Sequence, residues 1–413
     1  MIRNTCAKGS QTVGKCCRLP LSLKFIANYL IGSDFGFRVS SRRADARAQR
    51  VGLRVSDFRH RRSLFVLALQ AEPTHKGDML IRTSLRVLTS FSVLTAACTC
   101  LAADNPFLGE WALTIPGGAA GWLGVQEYNG QLKAGMLWGW GSVEPVTSVN
   151  VEDGKLKVTR KHTVERKDSD GKKTKTTIIE TITGTLQGDD IKLSSSKPRE
   201  NGQGDEVVEF GGHRQPPIPP APDLKRVKFG KPEHLFNGKD LTGWRLTDPN
   251  AVNGWSVKDR LLVNNPMQEQ GKHKAYGNLR TDKEFEDFNL KVEVKVGEKE
   301  NSGVYIRGIY EVQVADTYGR PRDPHNMGAV YSRITPTVSA EKPPGEWQTL
   351  EITFVDRHAT VILNGKRIID NQPVLGCTGG ALWSDVTRPG PIYLQGDHTG
   401  ITYRSLVLRP VLH

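Results

Sequence analysis

Between Leu290 and Val296 the chain alternates without a break: Leu290, Val292, Val294 and Val296 are apolar, while Lys291, Glu293 and Lys295 are charged. A period of two puts the first set on one face of a strand and the second on the other. Leu350, Ile352 and Phe354 repeat the pattern, and Val361-Ile362-Leu363 runs into Asn364-Gly365 before returning through Arg367-Ile368-Ile369. Asn-Gly between two apolar runs is a two-residue hairpin signal. No segment of convincing length carries the helical period, so the chain is expected to be all-β. In residues 232–413, roughly ten such strands suit two stacked antiparallel sheets.

Residues 104–214 show shorter runs, broken by Gly130, Asp153-Gly154, Asp170-Gly171 and Gly188-Asp189. Turn signals at hairpin spacing predict a small antiparallel β-barrel or sandwich. Its tryptophans, Trp111, Trp122, Trp138 and Trp140, suit a barrel core better than a sugar-stacking surface, and the basic stretch from Lys155 to Lys175 reads as a solvated hairpin. Residues 215–231 open with Gln-Pro-Pro-Ile-Pro-Pro-Ala-Pro-Asp, a linker expected to be extended and semi-rigid.

The formal charge of +13 invites a polyanionic partner, but residues 1–78 hold 15 Lys+Arg against 5 Asp+Glu, which leaves +3 on the rest. A near-neutral body has no electrostatic need for nucleic acid. Residues 1–78 read as a basic upstream extension and residues 79–103 as a signal peptide starting at Met79. Arg82 and Arg86 precede an uncharged run, Val87 to Leu101, which ends at Ala102-Ala103. The run is too short and too rich in Ser, Thr and Ala to be a membrane span, so a periplasmic or extracellular product with no transmembrane segment is expected. Cleavage would leave Cys377 alone, without a disulfide partner. Leu94 to Cys98 resembles a bacterial lipobox with its leucine one place early, which favours a plain soluble product over a lipid anchor at Cys98.

Two polar clusters sit on strands rather than loops. Asn301 to Arg307 runs to a turn near Gly308, and Glu311 to Asp316 returns. Val304, Ile306, Val312 and Val314 share one parity, while Tyr305, Arg307, Glu311 and Gln313 share the other. Mixed polar side chains on one sheet face look like a ligand surface; the plain alternative is an Arg307–Glu311 surface pair worth ~0–1 kcal/mol. In the second cluster Tyr393 and Gln395 share a face, and Gly396 and Gly400 let the backbone bend so that Asp397 and His398 project at a strand end. Histidine is the side chain best matched to proton transfer near neutral pH, though a lone histidine at a strand end is as readily structural.

Taken in order, several segments resemble the 3-keto-disaccharide hydrolase family of secreted bacterial proteins. They are Leu235 to Trp244, Asn301 to Arg307, Glu311 to Gln313, Gly328 to Tyr331, Pro344 to Trp347, Leu363 to Gly365 and Leu394 to His398. The resemblance runs to Leu408. Tyr403-Arg404-Ser405-Leu406 stands where the family usually has Phe-Arg-Asn-Ile, and Trp347-Gln348 where it often has Trp-Asn, departures that bear on substrate more than on fold. The resemblance implies a concanavalin-like jelly-roll sandwich that cleaves glycosides already oxidised to a ketone at C3. A proton abstraction beside a carbonyl needs a base, a carbonyl-polarising donor and an acid for the leaving oxygen. On this resemblance His398 is the base or acid, Glu311 its acid/base partner and Arg307 the group that polarises the C3 oxygen. Gln313, Gln395, Tyr331 and Tyr305 would position the sugar. Asp316 and Asp397 would orient His398 or join Glu311 around a divalent cation; no other cofactor is implied. Trp347 reads as a core anchor. The rival readings are a non-catalytic carbohydrate-binding module and an envelope scaffold.

Overall fold

The computed structural model describes residues 105–167, 173–199, 203–269 and 274–412. The expected extension at 1–78, the expected signal peptide with Met79 and Cys98, and residues 168–172 of the basic stretch lie outside the described residues. Every regular element among the described residues is a strand, and no helix there is long and apolar enough to cross a membrane.

Nine strands, from Gly109–Thr114 to Asp205–Arg214, form one antiparallel sheet. Its edge strands, Glu144–Pro145 and Ser148–Glu152, follow one another in the chain. Between them Val146 N donates to Ala134 O at 3.1 Å and Thr147 N to Thr159 O at 2.8 Å, which closes the sheet on itself as a barrel. Trp111, Leu113, Leu123, Val125, Met136 and Leu156 fill its interior.

Residues 228–412 form a jelly-roll sandwich. In one sheet Phe288–Lys295 lies between Trp347–Val355 and Ile401–Leu412, and the alternation seen in the sequence buries Phe288, Leu290, Val292 and Val294 completely. The other sheet has five strands in the spatial order Trp244–Leu246, Leu279–Thr281, Tyr393–Leu394, Asn301–Ile306 and Tyr310–Ala315. Val304, Ile306, Val312 and Val314 face the shared core, as their parity requires. The opposite, odd-numbered face of this second sheet carries the polar cluster.

The proline-rich segment is bonded to the sandwich: Pro216 O accepts from Arg357 Nη1 at 2.7 Å, Pro222 O from Asn371 Nδ2 at 3.0 Å, and Gln215 Oε1 from Val386 N at 3.1 Å. Prolines have no N–H to enter a sheet, so their carbonyls remain for side-chain donors of the sandwich. Trp347 is no core anchor. It stands on the outer face of its strand, with the Arg404 guanidinium 4.6 Å and the Lys295 ammonium 5.4 Å from its ring.

The barrel and sandwich meet in part through apolar side chains. Ala120, Trp122 and Leu137 join the same apolar cluster as the sandwich core. A Cβ on Gly376 would lie 2.1 Å from the Trp122 ring, so that position tolerates only glycine, and the Arg333 guanidinium lies over the ring, 4.1 Å from its centroid. Burial pulls the Arg333 guanidinium down to about 10, and two hydrogen bonds to Cys377 O, from Nε at 3.2 Å and Nη2 at 2.5 Å, offset the lost water together with the stacking on Trp122.

Candidate active site

The odd-numbered face of the five-stranded sheet positions most of the predicted residues. Tyr305 pairs with Glu311 and with Tyr393, and Gly303 with Gln313, so these side chains stand side by side across neighbouring strands. The two tyrosine rings stack at 3.9 Å. The Glu311 side chain lies flat over Gly303, where a Cβ would come 2.4 Å from its Oε1. A glycine opposite a glutamate therefore makes room for the carboxyl.

Glu311 is 4% exposed, and its hydrogen-bond neighbours are neutral. Tyr305 Oη lies 2.9 Å from Glu311 Oε2 and 2.7 Å from the Gly379 carbonyl oxygen. A phenol has one proton to give. With two acceptors facing it, the arrangement is satisfied when Glu311 is protonated and donates to Tyr305, whose own proton goes to Gly379. Burial, only partly opposed by the Tyr305 contact, pushes the Glu311 carboxyl up to about 8. With its amide turned, Gln313 donates to Ser302 O at 2.9 Å and to Glu311 Oε1 at 3.2 Å, while its oxygen lies 3.1 Å from Asn301 Oδ1, a second acceptor that cannot hydrogen-bond to it.

Asn301 stands beside this group and touches the second cluster. Its Nδ2 lies 3.1 Å from His398 Nε2, and His398 Nδ1 lies 2.5 Å from Asp397 Oδ1. The hydrogen bond to Asp397 raises the imidazole above its usual value, against partial burial. Nδ1–H is thereby fixed toward the carboxylate, and Nε2 is the working nitrogen. The loop that carries the pair is pinned: Asn264 Nδ2 donates to Gly396 O at 2.9 Å and Thr399 O at 3.1 Å, and Gly396 N donates to Asn278 Oδ1 at 2.8 Å. A run of polar side chains, Asp397, His398, Asn301, Gln313 and Glu311, thus lies side by side, hydrogen-bonded at every step but the one from Asn301 to Gln313.

Beside this run is a hollow of about 250 Å³, lined in part by Asn301, Gln313, Asp316, Tyr331 and His325. Asp316 accepts from Lys299 N at 2.9 Å rather than orienting His398. Tyr331 stands edge-on to His325 with ring centroids 4.8 Å apart. Gln395 Oε1 is buried without a hydrogen-bond partner among the described residues, an acceptor suited to a sugar hydroxyl. Among the described residues no three His, Cys, Asp or Glu side chains converge as a metal set would.

Arg307 is the exception. Parity places it with Tyr305, but the strand ends at Ile306, and Arg307 takes a left-handed φ of 54° in the turn. That rotation sends the guanidinium to the core side, where Nη2 donates to Val386 O at 3.0 Å and Arg388 O at 2.6 Å and the group lies 5.8 Å from the Phe354 ring. It cannot share the odd-numbered face with Glu311. Arg307→Ala is expected to lower unfolding free energy by about 2–4 kcal/mol in a denaturant titration, because the buried Val386 carbonyl and the part-buried Arg388 carbonyl lose their donor and the guanidinium leaves a gap in the core. A fall in kcat at unchanged stability would contradict this placement.

Sequence reasoning missed Asn264 and Asn278 and left Asn301 without a role. Asn264 had a signal: it shares parity with the buried Leu262, and a polar residue at a core position has a partner to hold.

The comparisons with known proteins address the sandwich. Residues 231–409 match the family model of the 3-keto-alpha-glucoside-1,2-lyase-like domain. The stretch that matches this lyase-like domain contains every residue of the polar run. Three solved structures of candidate glycosyl hydrolases from Parabacteroides distasonis ATCC 8503 also resemble the chain. One is 28% identical, with a TM-score of 0.36, over 47% of this chain and 93% of that chain. A second is 21% identical, with a TM-score of 0.35, over 43% and 92%. The third is 25% identical, with a TM-score of 0.33, over 44% and 100%. No curated protein matches the chain.

Proposed function

We propose that the lyase-like domain cleaves 3-keto-glycosides by removing the proton at C2, next to the ketone, and that the protein is exported to do so. The observation that carries the reading is the buried Glu311 carboxyl, in contact with Tyr305 and Gln313, with Asn301 beside them touching a histidine–aspartate pair.

A C3 carbonyl acidifies the C2 proton. Neutral His398 takes that proton on Nε2, and Asp397 steadies the imidazolium that forms. Charge moves onto the C3 oxygen, where the Asn301 amide, which has a second N–H besides the one facing His398, serves as donor rather than Arg307. The C1–oxygen bond then breaks, with its electrons going to the leaving oxygen, and Glu311 supplies the proton that oxygen needs. Water adds across the C1–C2 double bond: its oxygen goes to C1, its proton restores the Glu311 acid, and the half-exposed imidazolium, after exchanging its proton with solvent, protonates C2, for net hydrolysis. An ordinary glycosidase instead sets two carboxyls about an oxocarbenium-like centre.

The test supplies the full chain with a 3-keto-disaccharide and with its unoxidised parent, with and without a chelator, and follows sugar release. Release from the keto sugar alone is expected. Binding of both sugars without release from either would instead support a non-catalytic binding module.

The two titrating groups set the pH dependence. His398 works neutral, so kcat/KM rises as pH climbs through its raised value; Glu311 works protonated, so kcat/KM falls as pH passes about 8. Asp397→Asn removes the contact that raises His398, so the acidic limb moves to lower pH. An unmoved limb would show that this pair does not govern it.

A further inference from the structure

The barrel reaches into the candidate site. Its turn at Gly139 to Gly141 stacks on Gly379 and Gly380, the residues whose carbonyls take the protons of Tyr305 and Tyr393. Gly380 N donates to Gly139 O at 2.9 Å, and a Cβ on Gly379 would come 2.2 Å from Gly141 O. The next residues run along the rim: Ser142 Oγ lies 2.8 Å from His325 Nε2, on the wall of the hollow, and Val143 N donates to Ser332 Oγ at 2.8 Å.

At the centre of this stretch stands Trp140. Trp111 and Trp122 are buried, whereas Trp140 is 68% exposed. A Cβ on Gly380 would touch the Trp140 ring at 3.2 Å, Tyr305 Oη at 2.8 Å and Tyr393 Oη at 3.4 Å, so a single glycine separates the ring from both hydroxyls. A large apolar ring held out in water, fixed by backbone bonds beside a polar site, has the form of a platform for the C–H face of a pyranose.

We infer that Trp140 stacks on a second sugar ring, next to the one that reacts, and that the barrel thereby selects disaccharides over one-ring glycosides. The inference rests on the proposed activity for its substrate class. Trp140→Ala is expected to raise KM for a 3-keto-disaccharide about tenfold, the scale of one lost aromatic contact, while kcat stays within about twofold. KM for the 3-keto methyl glycoside, which has no second ring, stays unchanged, and Trp140→Phe restores most of the disaccharide affinity. Equal KM values for wild type and Trp140→Ala, or an equal rise for both substrates, would overturn the platform and leave the catalytic reading standing. Should the wild type turn over neither keto sugar, the catalytic reading fails, and calorimetry of the full chain with the unoxidised disaccharide tests the platform alone. A tenfold weaker association in Trp140→Ala supports it; equal affinity, or no binding to wild type, overturns it.

Discussion

Glu311→Gln lowers kcat on a 3-keto-disaccharide by about 10³-fold, within the range a positioned acid contributes. Glutamine keeps the size of the side chain and can still lie over Gly303, but it has no acidic proton for the departing oxygen. The substitution also separates catalysis from stability. The Glu311 carboxyl is raised by burial to about 8 from an ordinary 4.5. Its contribution to stability is therefore fully present below pH 4.5 and is lost as pH climbs toward 8, where the fold must hold a buried charge. Glutamine never ionises. The variant should melt several degrees above wild type at pH 9, with the gap closing toward pH 5. A variant that is inactive and less stable at pH 9 would mean that the carboxylate, rather than the acid, is the resident form.

His398→Ala is the second large effect, about 10²- to 10⁴-fold in kcat/KM. The imidazole is partly exposed at the mouth of the polar run, so its loss leaves no core cavity, and the melting temperature should stay close to wild type. Exogenous imidazole should restore part of the rate if the lost group is a base. Asp397→Asn leaves the imidazole in place and is expected to cost less, because Asp397 orients and does not touch the substrate. Full turnover in His398→Ala would remove histidine from the chemistry and leave Glu311 to act with water.

Much of this arrangement was legible from parity. Strict alternation from Leu290 to Val296 fixed one wall of the sandwich, and the odd–even split of Val304 to Gln313 told which side chains leave the core. Parity failed where a strand ended. Arg307 sits one residue past Ile306 with a positive φ, and no count of alternation survives such a turn. The pinning of the His398 loop by Asn264 and Asn278 depends on contacts between strands distant in the chain, which single-strand periodicity does not encode. The bonded proline strap and the rim of Trp140 were hidden for the same reason: both are meetings of distant segments, decided by packing of the barrel on the sandwich.

Cleavage in D₂O tests the central claim most directly. If His398 removes the C2 proton and the carbon is later reprotonated, the released 3-keto sugar carries deuterium at C2 beyond the slow exchange of the free keto sugar in buffer. The account predicts one deuteron at C2 per turnover. Release with C2 still fully protonated, or release at equal rates from the unoxidised parent, would contradict it.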